Sequence, residues 1–585
     1  HFWQYSRLMN QTIVPAPDPV SAGELAGKRH WLSSTINQVQ LRGDGWVSIQ
    51  ANVNPAVEAQ VKTAIERIDP LSIEGAEADF SLADPVGLRR EVIAAVMAGA
   101  KGVVYRTQHS LIDPLSYQGP KDRALQAAMR WVNQDMRLWA PWITTGQLIA
   151  VPQLDRSDFS AVRWRLKDSD LILIQNTSPE SQWCMPPTRS IPLQISVSDS
   201  NAETQAIRLT EGRMEALTGQ VSRGSRQWQI ENPNSAEFVV LTHHPQVLSY
   251  LRRTMEQMAT NNASDQLDIA AYCLQLASEL MTVRFRHQSL EPGSDRESLM
   301  RAYQRRLSAI DRRLQAGWQS LQSQQTSAAT AHAMVVIDQA QQVMHEGFSM
   351  ASRDLSAPQS SPFVLVPAAL KFHWMIAEAC SRSQWKPMSI PGSQFTDLSG
   401  MLAAGWSQQR RSEERFDWRV ELVPQRETGS AGLRMAAYAK QEPPLGTTPP
   451  GSPISVPGGY EGASLRVRSA AIKADAGQFI RVTAKAHIRH CDEDPSTGLL
   501  FYDNQAGPSL GQLVRGAPGD SVDIELYRFV LENGQFRLLA ECRGECDIQL
   551  SDLVVAIIDP ATERSSFDTN PLVSDPVSSY PLEIP

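Results

Sequence analysis

The residues best placed to meet a polar ligand sit around the ends of short apolar runs. Trp46 and Gln50 belong to the run at 46–50 and Asn52 follows it, and Arg106, Gln108 and His109 follow the run at 102–105. Their chemistry is recognition more than bond cleavage. A tryptophan ring offers a flat apolar face, and a guanidinium clamps a hydroxyl or an anionic substituent with a rigid fork of donors. Amides both donate and accept, as does a neutral imidazole. Plainer roles stand beside these: Trp46 as a core residue, Arg106 as a structural ion-pair partner. Acids are scarcer. Asp18 follows the first apolar run, and Glu74, Glu77 and Asp79 lie in an acidic loop where solvated carboxylates are the ordinary case. Glu91 falls within a helical pattern, on what reads as its solvent side.

The elements that would hold these residues alternate. An apolar run at 10–14 enters a Pro-rich turn. Residues 24–40 then carry Leu25, Trp31, Leu32, Ile36 and Val39 at helical spacing. Gly43, Asp44 and Gly45 break that pattern before the strand at 46–50. Stretches 55–65 and 88–97 read as helices, 102–105 as a strand and 127–142 as a long helix. Strands alternating with helices predict βα units and a parallel sheet. Three strands in about 110 residues amount to about three-eighths of a (β/α) barrel.

At 585 residues, 42% of them hydrophobic and 20% charged, the chain exceeds a single core and divides into about four domains. The expected division is 1–146, the C-terminal part of a (β/α) barrel; 147–245, a small antiparallel β-sandwich; 246–385, an α-helical bundle; and 386–585, a second β-domain. Short alternating runs at 161–166, 171–175, 193–197 and 237–241 carry the sandwich. Leu267, Ala270, Leu274 and Met281, then Leu299, Tyr303, Leu307, Ile310 and Leu314, give the bundle its apolar stripes. The net charge of −8 is spread without blocks, and the Arg-rich stretch 301–313 is interspersed with apolar residues, which argues against nucleic acid as a partner. No run of 18 apolar residues occurs, so no membrane span is expected. The chain opens at His1 with neither Met nor a charged-then-apolar leader, and 1–8 reads like the inside of a domain, so a missing N-terminal portion is expected. Cys542 and Cys546 flank what reads as a hairpin, which leaves a cross-strand disulfide and two free thiols both open. Cysteine spacing gives no zinc site, and neither a metal nor a cofactor is expected.

Two stretches resemble known families. Trp46 to Asn52, then Ala95, Gly99, Ala100, Gly102 and Tyr105, then the helix with Asn133, Asp135 and Pro141, resemble the end of the catalytic barrel in glycoside hydrolases of the β-galactosidase-like and related uncharacterised groups. This covers roughly the first quarter of the chain. The resemblance implies an active site at the C-terminal ends of the strands and two carboxylates about 5–10 Å apart. Gln50 and Asn52 are amides where such enzymes carry an acid. The catalytic acids are then expected in the missing portion, with Trp46, Gln50, Asn52, Arg106, Gln108 and His109 as substrate-binding candidates, or else the barrel is degenerate.

Further on, Ile390, Pro391, Gly392 and Phe395, with Gly405 and Trp406, resemble the opening of carbohydrate-binding jelly rolls, Thr396 standing where that group has Glu. Residues 548–557 resemble its last strand, with Ser551 in place of an Asp. This likeness implies a jelly roll with glycan-binding candidates Tyr460 and Tyr502. Tyr527 and Phe529 share one strand face, which suits core packing. Members often hold structural Ca²⁺, but Asp492, Glu493 and Asp494 read equally well as an exposed loop. Together the resemblances imply a secreted or cell-surface/periplasmic protein acting on or binding polysaccharide. The alternative is a non-catalytic carbohydrate-binding or structural surface protein with a degenerate barrel. A scaffold contacting a partner protein through the bundle is a third reading.

Overall fold

The computed structural model describes residues 11–17, 25–40, 44–68, 83–107, 120–149, 151–185, 191–198, 204–210, 212–222, 225–287, 296–410, 416–424, 431–439 and 465–558. Within them lie helices, antiparallel sheets in two places, and one parallel sheet.

Strands β1 (Gln11–Pro15), β2 (Asp44–Gln50) and β3 (Gly102–Arg106) form the parallel sheet in sequence order. Helix α1 (Leu25–Gln40) joins the first pair. Helices α2 (Pro55–Ile68) and α3 (Pro85–Met97) lie between the second pair, and α4 (Pro120–Thr145) follows β3. Asp84 starts α3 by accepting from the Gly87 amide at 2.6 Å, with Pro85 in the first turn. Gly99 ends it at φ +105°, a conformation that costs glycine little. Because side chains alternate along a strand, Val14, Val47, Ile49 and Tyr105 share one face, where they pack with Leu32, Ile36, Leu88, Val92 and Met129 of the helices. The opposite face carries Ile13, 52% exposed, with Trp46, Val104, Gln50 and Arg106 partly or fully exposed. Parallel sheets are ordinarily covered on both faces; among the described residues helices cover one, although Ser48 on the other face is also buried.

The described residues between 147 and 242 form two packed antiparallel sheets. The six-stranded sheet has Ser169–Asn176 and Ala236–Thr242 at its centre, and the four-stranded sheet has Leu193–Val197 and Ser225–Ile230. Between the sheets Ile172, Ile174, Val239 and Leu241 meet Ile195, Val197 and Trp228. The outer face of the larger sheet, through Leu171, Leu173, Phe238 and Val240, packs on Ile93, Met97, Trp139 and Trp142 of α3 and α4. Ser169–Asn176 is accordingly buried along its whole length.

Helices α5 (Pro245–His287), α6 (Arg296–Gln322) and α7 (Thr326–Ala351) follow, and then α8 (Leu370–Arg382). Leu267, Ala270 and Ala277 meet Ile310, Leu314, Ala333 and Val336, as the helical spacing predicts. The bundle is not self-contained. Its core continues into Val57 and Val61 of α2, Ala128 and Trp131 of α4, and Phe479 and Phe529 of the last domain. On α8, His373 faces Ser361, whose hydroxyl lies 3.1 Å from Nδ1. Burial depresses the imidazole to about 4. An unfolded His titrates near 6.5, so the unfolded chain binds this proton first. Stability is therefore full above about pH 6.5 and is lost as the pH falls towards 4, by at most about 3 kcal/mol. Thermal melts at pH 7 and pH 4.5 are expected to differ more for the native chain than for His373→Leu. An equal difference in both would remove His373 as the cause.

The described residues between 386 and 558 form an antiparallel two-sheet sandwich. One sheet centres on Phe479–Cys491 and Cys546–Ile558, the other on Leu538–Arg543. Leu433, Met435, Val482 and Ile548 face Leu465, Leu499, Phe501 and Ala540 across a common core. Phe395 and Trp406 pack edge to face at 5.8 Å in the same core. Cys542 lies one residue before the end of a strand of one sheet and Cys546 begins a strand of the other, so their link crosses a corner of the sandwich instead of turning a hairpin. All six cysteines are free thiols. Phe529 is fully buried and Tyr527 half-buried, but their partners are Phe479, Trp385 and Phe363, which places them at the junction with the helices rather than between the sheets.

That junction is held by polar clasps. The Gln60 side chain of α2 donates to the Phe529 carbonyl at 2.9 Å and accepts from its amide at 2.7 Å. Arg67 donates to the Ala476 carbonyl at 2.8 Å. Arg528, with no exposed surface, donates to Asp503 at 2.8 Å and to the Gln359 and Ser360 carbonyls at 3.2 Å. Among the described residues no helix is long and apolar enough to cross a membrane, and no group of ligating side chains could hold a metal ion.

Candidate functional site

Parallel strands put all their C-terminal ends on one side, and two of the candidates meet there. Gln50 and Arg106 are register partners on the face without helices, the first half-buried and the second exposed. Pairing continues just beyond the strands: the Ala51 amide donates to the Arg106 carbonyl at 2.9 Å, and the Ala83 amide to the Ala51 carbonyl at 3.1 Å. Asn54 accepts from the Ala56 amide at 2.8 Å and so caps α2. Asn52, by contrast, is 1% exposed. Trp46 shares the face of Gln50 but sits four residues earlier, roughly 13 Å along the strand. A Cβ at Gly102 would fall 2.7 Å from its ring, so the glycine makes room for the indole. Trp46 thus lies towards the opposite end of the sheet. Gln108, His109, Asp18, Glu74, Glu77 and Asp79 lie outside the described residues.

Behind this edge is a small chamber of about 50 Å³ in which Asn52, Asp84, Arg90, Glu91 and Gln182 meet apolar residues such as Leu88, Trp183 and Leu365. Here the sequence reading of Glu91 needs correcting. It does not face solvent; it is 8% exposed, and its Oε1 has no partner. Helix α3 packs on the parallel sheet on one side and on the middle domain on the other, which leaves little solvent-facing surface at this position. Burial pushes the Asp84 carboxyl up, against the opposing pull of the Gly87 amide and of the Arg90 and Lys121 charges. Arg90 donates to the Ser181 and Gln182 carbonyls, the latter at 3.1 Å. With roughly 30 Å³ per water, the chamber admits one or two solvent molecules and no polymer. Asp84 caps α3, and neither carboxylate is displayed to a saccharide.

A second polar surface was not singled out in the sequence. On the outer face of the six-stranded C-terminal sheet, Arg434 donates to both Asp547 oxygens, at 2.8 and 2.6 Å, and pairs with Glu421. The Tyr438 hydroxyl donates to Asp547 at 2.5 Å, and its ring stacks on His490 with centroids 6.1 Å apart. Burial pushes the Asp547 carboxyl up, but the hydrogen bonds from Arg434 and Tyr438 outweigh it and hold the group below its ordinary value. Asp547, Gln549 and Ser551 form a buried floor beside exposed Lys485, His487 and Arg489, with Arg489 donating to Gln549 at 3.1 Å. The legible signal was polar spacing with period two along those two strands.

Tyr502 is a correction. It is 5% exposed on the other sheet, and its hydroxyl donates to Glu541 at 2.6 Å, so it presents no ring face for a sugar to stack on. Tyr460 lies outside the described residues.

No protein-family model matches the chain, and no curated protein does. Among solved structures, a GH30 endoxylanase from Clostridium papyrosolvens C71 aligns at 12% identity and a TM-score of 0.19, over 40% of this chain and 56% of that one. AmyP in complex with maltose aligns at 15% identity and 0.21, over 38% and 47%. An α-amylase from H. orenii aligns at 13% and 0.17, over 37% and 57%. The chain thus spans about half the length of these structures, and TM-scores near 0.2 carry no argument for fold or activity.

Proposed function

We propose that the chain is part of a glycoside-hydrolase-related protein that binds or acts on polysaccharide. In this reading residues 1–146 are the closing part of a (β/α) barrel, and 147–245 a β-sandwich packed against it. Residues 246–385 are a helical spacer, and 386–585 a carbohydrate-binding jelly roll. The protein works outside the cytoplasm, at the cell surface or in secretion. One observation carries the proposal: Gln50 and Arg106 stand side by side at the C-terminal edge of a parallel sheet, on its helix-free face. That is where barrels of this kind place substrate, and an amide beside a guanidinium suits vicinal hydroxyls or a sugar carboxylate.

Arg106→Ala is expected to weaken polysaccharide binding by the full chain about tenfold, the scale of one charge-assisted hydrogen bond. Affinity electrophoresis in gels containing xylan, galactan or starch measures it; unchanged retention on every polymer would remove the strand edge as a site. A second reading, binding without catalysis, is favoured by the amides at Gln50 and Asn52 and by the enclosure of Asp84 and Glu91. It places the glycan on the trough over Asp547 and Gln549. The exposed pair Lys485→Ala and His487→Ala would then reduce retention while Arg106→Ala would not.

A further inference from the structure

We infer that the cleft between α1 and the strand Phe159–Leu166 of the middle domain binds a small carboxylate with a ring-sized body, held by Arg29. None of the residues named above for polysaccharide takes part. The cleft is open to solvent and measures about 610 Å³, within the roughly 300–1,000 Å³ usual for small-molecule sites. On α1 its lining residues Ala26, Arg29, His30 and Ser33 fall at i, i+3, i+4 and i+7, which is one face of a helix. Arg156 and Ser160 of the middle domain line the other side.

The charge of the cleft has one sign. Among its described lining residues are Arg29, His30 and Arg156 but no aspartate or glutamate, although the chain as a whole carries −8. Arg156 is neutralised by Asp158 at 2.6 Å and stacks on Phe159 at 4.7 Å. His30 lies 4.0 Å from Asp494, which stands just outside the lining. Arg29 is the uncompensated group. One of its terminal nitrogens donates to the Ser160 hydroxyl. Among the described residues no carboxylate pairs with it, and its remaining donors have no partner and stay accessible to solvent. Burial pushes this guanidinium below its ordinary value, with no acid to pull it back. A partly buried, unpaired charge is costly, and an anion at the accessible donors relieves that cost. A carboxylate matches the planar fork of a guanidinium. The apolar side of the cleft sets what the carboxylate is attached to. Val151, Pro152 and Leu154 line it from one stretch of chain, Val151 with 63% of its surface exposed. Such surface favours C–H groups over water, so a ring bearing the carboxylate fits better than inorganic phosphate, which would leave that side unused.

The test is titration calorimetry with saturation-transfer NMR on the full chain at low salt. The probes are benzoate and D-galacturonate, each beside its neutral counterpart, benzyl alcohol and D-galactose, and inorganic phosphate alone. At least one of the two acids is expected to bind, about tenfold or more tighter than its neutral counterpart and than phosphate, with affinity falling as salt is added. Arg29→Met is expected to weaken that binding about tenfold or more, the scale of a hydrogen bond to a charged group, and Arg29→Lys to restore part of it. Because Arg29 also bridges α1 to Ser160, Val151→Glu at the exposed rim is a second variant that leaves the packing alone, and its like charge is expected to weaken the acid severalfold. Arg106→Ala is expected to leave it unchanged. Failure of both acids to bind, equal binding of a neutral counterpart or of phosphate, or full affinity in Arg29→Met or Val151→Glu would each overturn the site. Loss of binding in Arg106→Ala would move the acid to the strand edge and overturn it equally.

Discussion

Replacing Arg528 with Met is expected to cost about 3–5 kcal/mol and to unfold the C-terminal sandwich before the rest of the chain. The guanidinium and the Asp503 carboxylate are both wholly buried, 2.8 Å apart. Its remaining donors go to carbonyls, those of Gln359 and Ser360 at 3.2 Å, Tyr527 at 2.8 Å, and Leu510. Methionine fills much the same space but leaves Asp503 as an uncompensated charge and several carbonyls dry. Loss of one partner is the costly case; loss of both is milder, because the desolvated charge goes too. Arg528→Met with Asp503→Asn is therefore expected to recover part of the loss. A chain this long does not unfold in two states, so the measurement is the calorimetric transition of the sandwich, with hydrogen exchange along Ser521–Phe529 to identify it. A shift under about 1 kcal/mol would mean that water replaces the guanidinium, and the clasp would lose its importance.

Gln60→Leu is expected to cost about 2–4 kcal/mol, more than its volume change suggests. Ser521–Phe529 is an edge strand of its sheet, and the Gln60 amide supplies at Phe529 the donor and acceptor that a neighbouring strand would supply. Leucine leaves a buried N–H and a buried C=O unpaired, at about 1–3 kcal/mol each. Gln60→Glu keeps an acceptor but loses the donor and sets a carboxylate against a carbonyl, so it is expected to be worse than leucine. Exchange of the Phe529 amide and the unfolding temperature measure both. If Gln60→Glu proves the milder change, the edge-pairing account is wrong.

The sequence made local structure legible where one side of an element decides it. The glycine breaks at 43–45 and 99–102 bracket β2 and β3 within a residue or two, and the stripe Leu267, Ala270, Ala277 and Met281 does lie in the helical core. It misled where a second neighbour decides. Glu91 falls off the apolar stripe of α3 and so reads as exposed, yet the middle domain covers that side. Tyr502 reads as an available ring because hydropathy does not record which sheet face is closed by the other layer. The helical bundle reads as separate because nothing local in Val57 or Phe529 announces that they share a core with it. Of the candidate site, Gln50 and Arg106 were legible because strand ends are local features. The trough at Asp547 requires knowing which face of the sandwich points outwards.

The Gln60 clasp also sets a timetable for synthesis. Its partner lies 469 residues downstream, and a ribosome adding about 5–20 residues per second takes roughly 25–95 s to cover that span. Through that interval α2 has left the exit tunnel with the part of its surface meant for Phe529 uncovered, and loop closure over such a span is among the last events available to the chain. The nascent protein thus stays open to misassembly at α2 until Phe529 has been made. Slowing translation between Gln60 and Phe529 would lengthen that exposure, whereas a holdase bound to α2 would protect the nascent chain through it.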